Sequence, residues 1–450
     1  MTGPGTGSSI PGRTASGGPR HWRRGGGCVI GALRHTGFRA VWVGQLLSQF
    51  GNAAFSVVGL WQLQLHNPLL LSVAGLASML PTLLSTVGGT VVDHVDPRRL
   101  MLTTDLLRGV GLGLALFGLV ASPALAPALI IAVLAINALG GAFFGPAESV
   151  AIPYLVPDGD LPSANGLMST TWQLSGAVGS ALGGAALAGL GLRLIFGFDL
   201  LSFWFSAAAI LFVIRLGTGA PRFAARQARQ AVHRRENPQP FWRSLYSGFG
   251  ALREIGWLVT LLPLILLANF GGNGAGIMLP FWVRHVLHAN VAWFGLIEAS
   301  WAGGMLVGSI LTGVVATASI RRVVGAMALI QGVLITGFIL APTPLVAAGC
   351  LLVAGAANGV VNALITTLFQ RLIPEDVQGR AFGLMGTLMS AANPLAAIVA
   401  GLTLRVLPLW WMWALLALSS LGLGWGLWAR LPDRLPAAPV STAVVEPPAP

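Results

Sequence analysis

The sequence predicts an all-α polytopic membrane protein with twelve transmembrane helices in two six-helix halves, and three observations support this. Of its 450 residues, 55% are hydrophobic and 9% are charged, whereas soluble proteins have about 25% charged residues. Long uncharged stretches recur, such as 126–145 and 257–269, and a helix of about 20 apolar residues crosses a bilayer core about 30 Å thick. Finally, motifs of the first half recur in the second.

Twelve apolar stretches are long enough to span a membrane: 40–64, 71–92, 100–122, 126–150, 165–190, 194–215, 257–283, 292–316, 323–341, 343–370, 381–404 and 408–430. They predict two helical bundles, at 35–215 and 257–430. Residues 1–34 and 431–450 are rich in Gly, Ser, Arg, Pro and Ala, so we expect disordered tails. The arginine-rich segment 216–256 is predicted to be a cytoplasmic linker with an interfacial helix at 241–255.

The basic residues are distributed unevenly between the two sides of the predicted membrane. The net charge is +12, and all 26 basic residues are arginines. Most of them fall in segments on the side of the N-terminus, which the positive-inside rule assigns to the cytoplasm. The chain is therefore predicted to lie in the cell membrane with both termini cytoplasmic, and its positive charge requires no nucleic acid partner.

Several function classes are excluded or disfavoured by residue types. The two cysteines are too few and too distant for a disulfide framework or a metal site. An ATP-binding P-loop needs a lysine, which the chain lacks. No paired carboxylates and no Ser/His arrangement lie in a predicted span, which argues against a membrane enzyme. We expect no cofactor and no metal.

An internal repeat supports a duplicated six-helix unit. The segment LVPDGDLPSANGLMST (Leu155–Thr170) aligns without gaps to LIPEDVQGRAFGLMGT (Leu372–Thr387). Each copy follows the fourth span of its half. Similarly, GTVVDHVDPRR after the second span has a counterpart in GVVATASIRR after the eighth. Such repeats are typical of secondary transporters, whose substrate sites lie near the bilayer midplane between the repeats.

These motifs resemble those of the major facilitator superfamily over about residues 35–430. The stretches FFGPAESVAIPYLVPDGDLPSANGL and NGVVNALITTLFQRLIPEDVQGRAFGL are similar to its drug and siderophore exporter branch, typified by macrolide-efflux and enterobactin-exporter proteins. The resemblance implies a monomeric transporter that exports a small amphiphilic molecule in exchange for H⁺. The repeats do not set the direction of transport, so a proton-coupled importer of the same fold stays open.

The resemblance also assigns a role to the loop after the second span, where Gly89, Asp93, Arg98 and Arg99 match a Gly-x-x-x-Asp…Arg-Arg pattern. Gly89 allows close helix approach, and Asp93 can pair with an arginine or a helix N-terminus. We expect a conformational latch, that is, a contact that joins the halves in one conformation only. Alternatively, the arginines are only topology anchors.

Charges inside membrane helices are costly and call for an explanation. Asp105 and Arg108 lie three residues apart on one helix face, so we expect them to neutralise each other and extend the latch. Glu148, near the end of the fourth span, is expected at the boundary or paired with Arg108. Asp199 is expected to cap the sixth span.

Glu298 differs from these acids because no basic residue lies three or four positions away. A buried carboxyl without a partner favours its neutral form and could load and release a proton. Glu298 is therefore the proton-coupling candidate. The alternative is a carboxyl near the outer mouth that pairs with Arg284.

Two further residue sets complete the predicted sites. The fifth span carries glycines that permit tight helix packing. The exporter branch often has a Gly-Pro-x-x-Gly-Gly element at this place. In this chain the element is incomplete, because Ser180 stands at the position of the proline. These glycines are Gly176, Gly179, Gly183 and Gly184. Polar or aromatic residues in the spans that could line a substrate cavity, or alternatively join helices by hydrogen bonds, are Gln45, Gln49, Asn52, Trp61, Asn137, Gln173, Asn269, Asn273, Trp301, Asn358 and Asn362. They favour an uncharged or weakly cationic substrate.

Overall fold

The computed structural model describes residues 31–84, 91–92, 95–157, 160–217, 256–315, 319–372, 389, 392–402 and 406–430. These residues are almost entirely helical, and no β-strand occurs among them. Eight of their helices are long and apolar enough to cross a membrane. The predicted all-α, multi-pass fold class is therefore confirmed.

The described residues contain twelve α-helices, each coinciding with one predicted span. In chain order they are α1 (Thr36–His66), α2 (Leu69–Met79), α3 (Pro97–Ala121), α4 (Ala126–Leu155), α5 (Leu161–Leu190), α6 (Leu192–Arg215), α7 (Gly256–His285), α8 (Val291–Val315), α9 (Ile320–Ile339), α10 (Pro344–Leu372), α11 (Ala392–Leu402) and α12 (Trp411–Arg430). Helices α1–α6 form the first half and α7–α12 the second half. The predicted linker helix at 241–255 and residues 1–30 and 431–450 lie outside the described residues. The end of the predicted N-terminal tail is not disordered, because Gly31–Arg34 form a 3-10 helix in which Ala32 is fully buried.

The sequence determines helix ends through local capping. Asp96 is the N-cap of α3: its carboxylate accepts a hydrogen bond from the backbone N–H of Arg98 at 2.9 Å, and Pro97 occupies the first helical position. Between α5 and α6, Gly191 adopts φ +80°, which an L side chain rarely allows. This glycine lets the chain reverse direction without a longer loop.

Each half is organised around a few helix pairs. In the first half, α1 packs against α5 and α6, and α3 packs against α4 and α6. In the second half, α10 packs against α8 and α9, and α12 packs against α7 and α9. The main described contact between the halves joins α5 to α8. The two halves differ in what these helices enclose. The first half has polar side chains between α1, α3 and α6, and the second half surrounds a cavity.

Three apolar cores show how the halves meet. The face at which α1 begins is called the arginine-rich face, and the opposite face is called the arginine-poor face. At the arginine-rich face, one core contains only first-half residues, such as Phe38 and Met101, and another contains only second-half residues, such as Val324 and Leu427. At the arginine-poor face, a single core joins both halves. Among the described residues, the halves are thus fused at the arginine-poor face.

The α5–α8 crossing is built from small residues. A Cβ added to Gly184 would lie 2.6 Å from the carbonyl oxygen of Val291 and 3.1 Å from Cα of Gly295. Further along the same crossing, Gly176 faces Ala302. Close backbone approach is what small residues permit at helix interfaces in membranes. The two halves are therefore in van der Waals contact along this crossing.

Candidate functional site

A cavity of about 660 Å³ lies inside the second half, near the middle of its helices. Its walls come from α7, α8, α9, α10 and α12, together with Met389. This volume falls in the range of small-molecule sites, which are about 300–1,000 Å³. The described part of the wall belongs to the second half alone, although α8 also contacts α5 of the first half.

One wall of the cavity is a chain of carboxamides. The side-chain N–H of Asn362 donates to Oδ1 of Asn358 at 2.9 Å, and Asn358 donates to Oε1 of Gln331 at 3.3 Å. Asn358 and Asn362 lie four residues apart, so they occupy one face of α10. The chain fixes the orientation of the three amides and presents polar groups to the cavity.

A second pair of amides lies on α7. Asn273 donates to the backbone oxygen of Asn269 at 2.8 Å and to its side-chain oxygen at 2.9 Å. Asn269 in turn donates to the sulfur of Met389 at 3.0 Å. The sequence prediction that Asn269, Asn273, Asn358 and Asn362 could face a cavity agrees with this geometry, since all four line it.

Aromatic side chains supply the apolar part of the wall. Trp301 lines the cavity from α8, and Trp413 lines it from α12. Trp413 packs on Phe338 with ring centroids 4.3 Å apart and is almost fully buried. Its indole Nε1 has no hydrogen-bond partner among the described residues, although buried indole N–H groups usually have one.

Glu298 is the one ionisable side chain among the described residues that line the cavity. It lies two turns into α8 and is half-buried. None of the described residues forms an ion pair with it, and Arg284, at the end of α7, is not its partner. The cavity therefore combines one carboxyl group with neutral amides and aromatic rings.

The family model described as Major Facilitator Superfamily matches residues 41–397. The chain belongs to the major facilitator superfamily. Among curated members, macrolide efflux protein A of Streptococcus pyogenes is 25% identical over 372 residues, covering 81% of this chain and 88% of that protein. Multidrug efflux pump Tap of Mycolicibacterium fortuitum is 27% identical over 380 residues, covering 78% and 85%. The resemblance to the drug exporter branch is confirmed.

Solved structures with the superfamily fold extend this likeness. A D-xylose–proton symporter has a TM-score of 0.66 at 14% identity, covering 90% of this chain and 99% of that one. A bacterial homologue of ferroportin in an inward-facing state has a TM-score of 0.63 at 18% identity, covering 88% and 98%. At these identities the likeness establishes the fold alone.

The first-half residues proposed for the cavity lie elsewhere in this superfamily member. Gln45 donates to the hydroxyl of Ser206 at 3.1 Å, and Asn137 donates to Asn52 at 2.8 Å. These bonds join α1 to α6 and α4, so the alternative of interhelical hydrogen bonding holds for these three residues. Gln49, Trp61 and Gln173 are also absent from the described cavity wall.

The predicted latch is only partly described. Gly89 and Asp93 lie outside the described residues. The Arg98 side chain donates to Asp96 at 2.8 and 3.1 Å, whereas the Arg99 side chain is exposed. Because two of its four residues are not described, the conformational latch stays a prediction.

The acids assigned to the latch extension are placed differently from the prediction. Asp105 and Arg108 do pair, with 3.4 Å between Oδ1 and Nη1, but they lie in the interior of the first half, against α4 and α6. About two turns of α3 separate Asp105 from the start of that helix, and the predicted extension of the latch to this pair stays a prediction. Glu148 lies near both side chains but forms no ion pair with Arg108, the alternative predicted for it.

The α5 glycines divide between two neighbours. Gly179 and Gly183 face the backbone of α1 at Phe50 and Ala54, whereas Gly184 faces α8.

Asp199 is not the helix cap that was predicted. Because α6 begins at Leu192, Asp199 lies two turns inside this helix. Its side chain is fully buried.

Sequence reasoning did not select four cavity residues that carry a hydrogen-bonding group: Gln331, Thr366, Trp413 and Ser420. Thr366 continues the stripe of Asn358 and Asn362 along α10, whereas the other three belong to no such stripe. The signal for Gln331 was its position as a single amide in the apolar stretch 323–335.

Proposed function

We propose that the chain exports a small, uncharged or weakly cationic amphiphile, such as a drug, a macrolide-like natural product or a siderophore, in exchange for H⁺. The observation that carries this proposal is Glu298, a carboxyl group without an ionic partner in the described wall of an amide- and tryptophan-lined cavity. We propose that the protein moves its substrate across the membrane without changing it chemically, so it is a transporter and not an enzyme.

The chemistry of the wall supports this substrate class. Amides and the free indole N–H of Trp413 can bond to the carbonyl, ether or hydroxyl oxygens of a ligand, and the aromatic rings can contact its apolar surface. The described wall offers no cationic side chain to balance a phosphate or a second carboxylate. A polyanion would therefore lose its hydration without compensation.

One carboxyl group can couple substrate to proton by competition. Ionised Glu298 attracts a cationic substrate, whereas protonated Glu298 is neutral and does not. Because the proton and the cation occupy the same group, binding of one favours release of the other. This competition drives exchange if the cavity opens alternately to the two sides of the membrane.

The arrangement of the cores supports alternating access. The halves share one core at the arginine-poor face and have separate cores at the arginine-rich face. Movement of one half against the other about the central site is how transporters with repeats alternate access. The described conformation has the contacts expected when the arginine-poor side is closed.

The relatives and the arginines support the proposed direction of transport and the proposed location. The relatives named above are efflux proteins, and the arginine distribution favours cytoplasmic termini in a cell membrane. We propose a monomer in the lipid bilayer that has no nucleic acid partner. The second candidate is a proton-coupled importer of the same fold, because the internal repeats do not set the direction of transport.

The test is efflux of a preloaded fluorescent cationic dye from cells that produce the protein, with and without a protonophore. We expect efflux that the protonophore abolishes, and loss of that efflux in Glu298→Gln. The matched control is Asp160→Asn, which removes a carboxylate near the arginine-rich face, bonded there to His35. Proton-coupled efflux retained in Glu298→Gln would contradict the role of Glu298. Dye accumulation in place of efflux would favour the importer.

A further inference from the structure

A buried ionic cluster lies inside the first half, apart from the cavity. It consists of Asp105 and Arg108 on α3 and Asp199 on α6, and is called the first-half cluster. Both aspartates have an exposed fraction of 0%, and Arg108 has 5%. None of the three lines the cavity. Charges buried this deeply in a membrane protein are costly, so their balance determines which of them can be ionised.

Asp105 has the partners that an ionised carboxylate needs. One of its oxygens lies 3.4 Å from Nη1 of Arg108, and the other accepts a short hydrogen bond, 2.6 Å, from the hydroxyl of Ser206. Gln45 donates to the same hydroxyl at 3.1 Å, which orients it toward the acid. Asp105 and Arg108 therefore form an ion pair that has no net charge and is held by charge-assisted hydrogen bonds.

Asp199 lacks such partners. Its nearest donors are the side chains of Asn137 and Ser202, both neutral and both 3.5 Å from a carboxyl oxygen. No cation among the described residues lies within ion-pair distance of Asp199. Its other side is closed by α1, where a Cβ added to Gly51 would lie 2.6 Å from Oδ1. An ionised Asp199 would be a buried charge without compensation.

The surrounding helices supply no additional positive charge. Between Arg39 and His66, α1 carries no ionisable side chain, and α5 carries none along its length. Helix α4 contributes Glu148, which adds negative charge near Arg108. Arg108 is thus the one cation shared by three carboxyl groups in the described part of this interior, and Asp105 already pairs with it.

Two buried polar atoms of this interior have no hydrogen-bond partner among the described residues: Oδ1 of Asn137, whose amide nitrogen donates to Asn52 at 2.8 Å, and Nε of Arg108. A protonated carboxyl adds an O–H donor to this interior, whereas an ionised one adds only acceptors. Asn137 also connects the two sites, because Nη2 of Arg108 donates to its backbone oxygen at 3.0 Å.

We propose that Asp199 is a second proton-binding site, distinct from Glu298, and that Arg108 becomes its counter-ion when the proton leaves. On release, the O–H bond of Asp199 breaks, both electrons stay on the carboxylate oxygen, and the proton passes to water. Arg108, whose Nε is unpaired, then interacts with Asp199 as well as with Asp105. The role of this site in transport rests on the proposed function, whereas its occupancy by H⁺ does not.

The test is infrared spectroscopy of the purified full-length protein in lipid nanodiscs at neutral pH, which detects the C=O stretching band of protonated carboxyl groups. We expect Asp199→Asn to remove one such band and Asp160→Asn, a control that removes a carboxylate outside the first-half cluster and leaves the Asp105–Arg108 pair intact, to leave that band in place. Glu298→Gln affects a different band, so the two sites are read separately. An unchanged spectrum in Asp199→Asn overturns the proposal, as does a band that disappears when Na⁺ is added at constant pH.

A second variant covers the case in which Asp199→Asn fails to fold. Asn137→Ala keeps the carboxyl group and removes its nearest amide, so we expect the frequency of the same band to shift. A band that does not move contradicts the proposed contact. Absence of dye efflux in the wild type would overturn the proposed function while leaving the infrared result intact, so the two failures are distinguishable.

Discussion

The indole ring of Trp61 stacks on the phenyl ring of Phe294, with centroids 5.9 Å apart and planes inclined by 23°. Trp61 lies near the end of α1 and Phe294 at the start of α8, so this stack joins the two halves at the arginine-poor face. Both side chains belong to the core that the halves share. A protein that opens at this face has to separate the two rings.

Trp61→Ala should therefore shift the conformational equilibrium toward opening at the arginine-poor face. An aromatic pair contributes about 0.5–1.5 kcal/mol beyond its buried area, which corresponds to a shift of at least about 2- to 10-fold. The measurement is the distance between spin labels on cysteines introduced at positions 66 and 286, in a chain without Cys28 and Cys350. The control is Trp425→Ala, because Trp425 is 71% exposed. Equal distances in wild type and Trp61→Ala would contradict the prediction.

Gly184→Ala should weaken the same closure by a different mechanism. The added methyl group would lie 2.6 Å from the carbonyl oxygen of Val291, and such overpacking costs about 1–3 kcal/mol. We expect a longer 66–286 distance and a loss of most transport. Gly189→Ala is the matched control on the same helix, since nothing lies within 4 Å of its added Cβ. Similar behaviour of the two variants would argue against a tight α5–α8 crossing.

The fold was predictable because its signals are local. Apolar runs predicted the helices, although the Asp96–Pro97 cap places the start of α3 three residues before the predicted start at 100. The positions of side chains around a bundle are not local, since they depend on helix rotation and on which neighbours pack together. Gln45 and Asn52, seven residues apart on α1, show this: the sequence marks both as polar residues of a span, but helix packing directs them to α6 and α4 rather than to the cavity.

The site was predictable only in part, for the same reason. The paired amides of α10 stood out because two polar residues share a face. Gln331 and Trp413 lie singly in apolar helices, and only tertiary packing brings them to the same cavity. Asp199 was misjudged because an acid near the start of a span was interpreted as a cap, although it lies five residues after the predicted start at 194 and seven after the observed start at Leu192.

Trp413→Phe should reduce substrate affinity without destabilising the protein. Phenylalanine keeps the ring contact with Phe338 but removes the indole N–H, which has no partner among the described residues. If a substrate oxygen accepts that N–H, we expect its loss to cost about 0.5–1.5 kcal/mol, or roughly a 2- to 10-fold higher KM for efflux. The melting temperature should be nearly unchanged. Trp425→Phe is the control, and an unchanged KM in Trp413→Phe would contradict the assigned contact.

Arg108→Gln should be strongly destabilising, because it leaves the Asp105 carboxylate buried without its cation. Removing one partner of a buried ion pair costs about 3–5 kcal/mol. Adding Asp105→Asn to this variant should recover much of the loss, since a neutral amide pair replaces an isolated charge while protonated Asp199 needs no counter-ion. The measurement is a double-mutant cycle on the free energy of unfolding in detergent. Arg99→Gln, at an exposed position on the same helix, is the control and should change stability by less than about 0.5 kcal/mol. Additive losses in the double variant would mean that Asp105 and Arg108 do not stabilise each other.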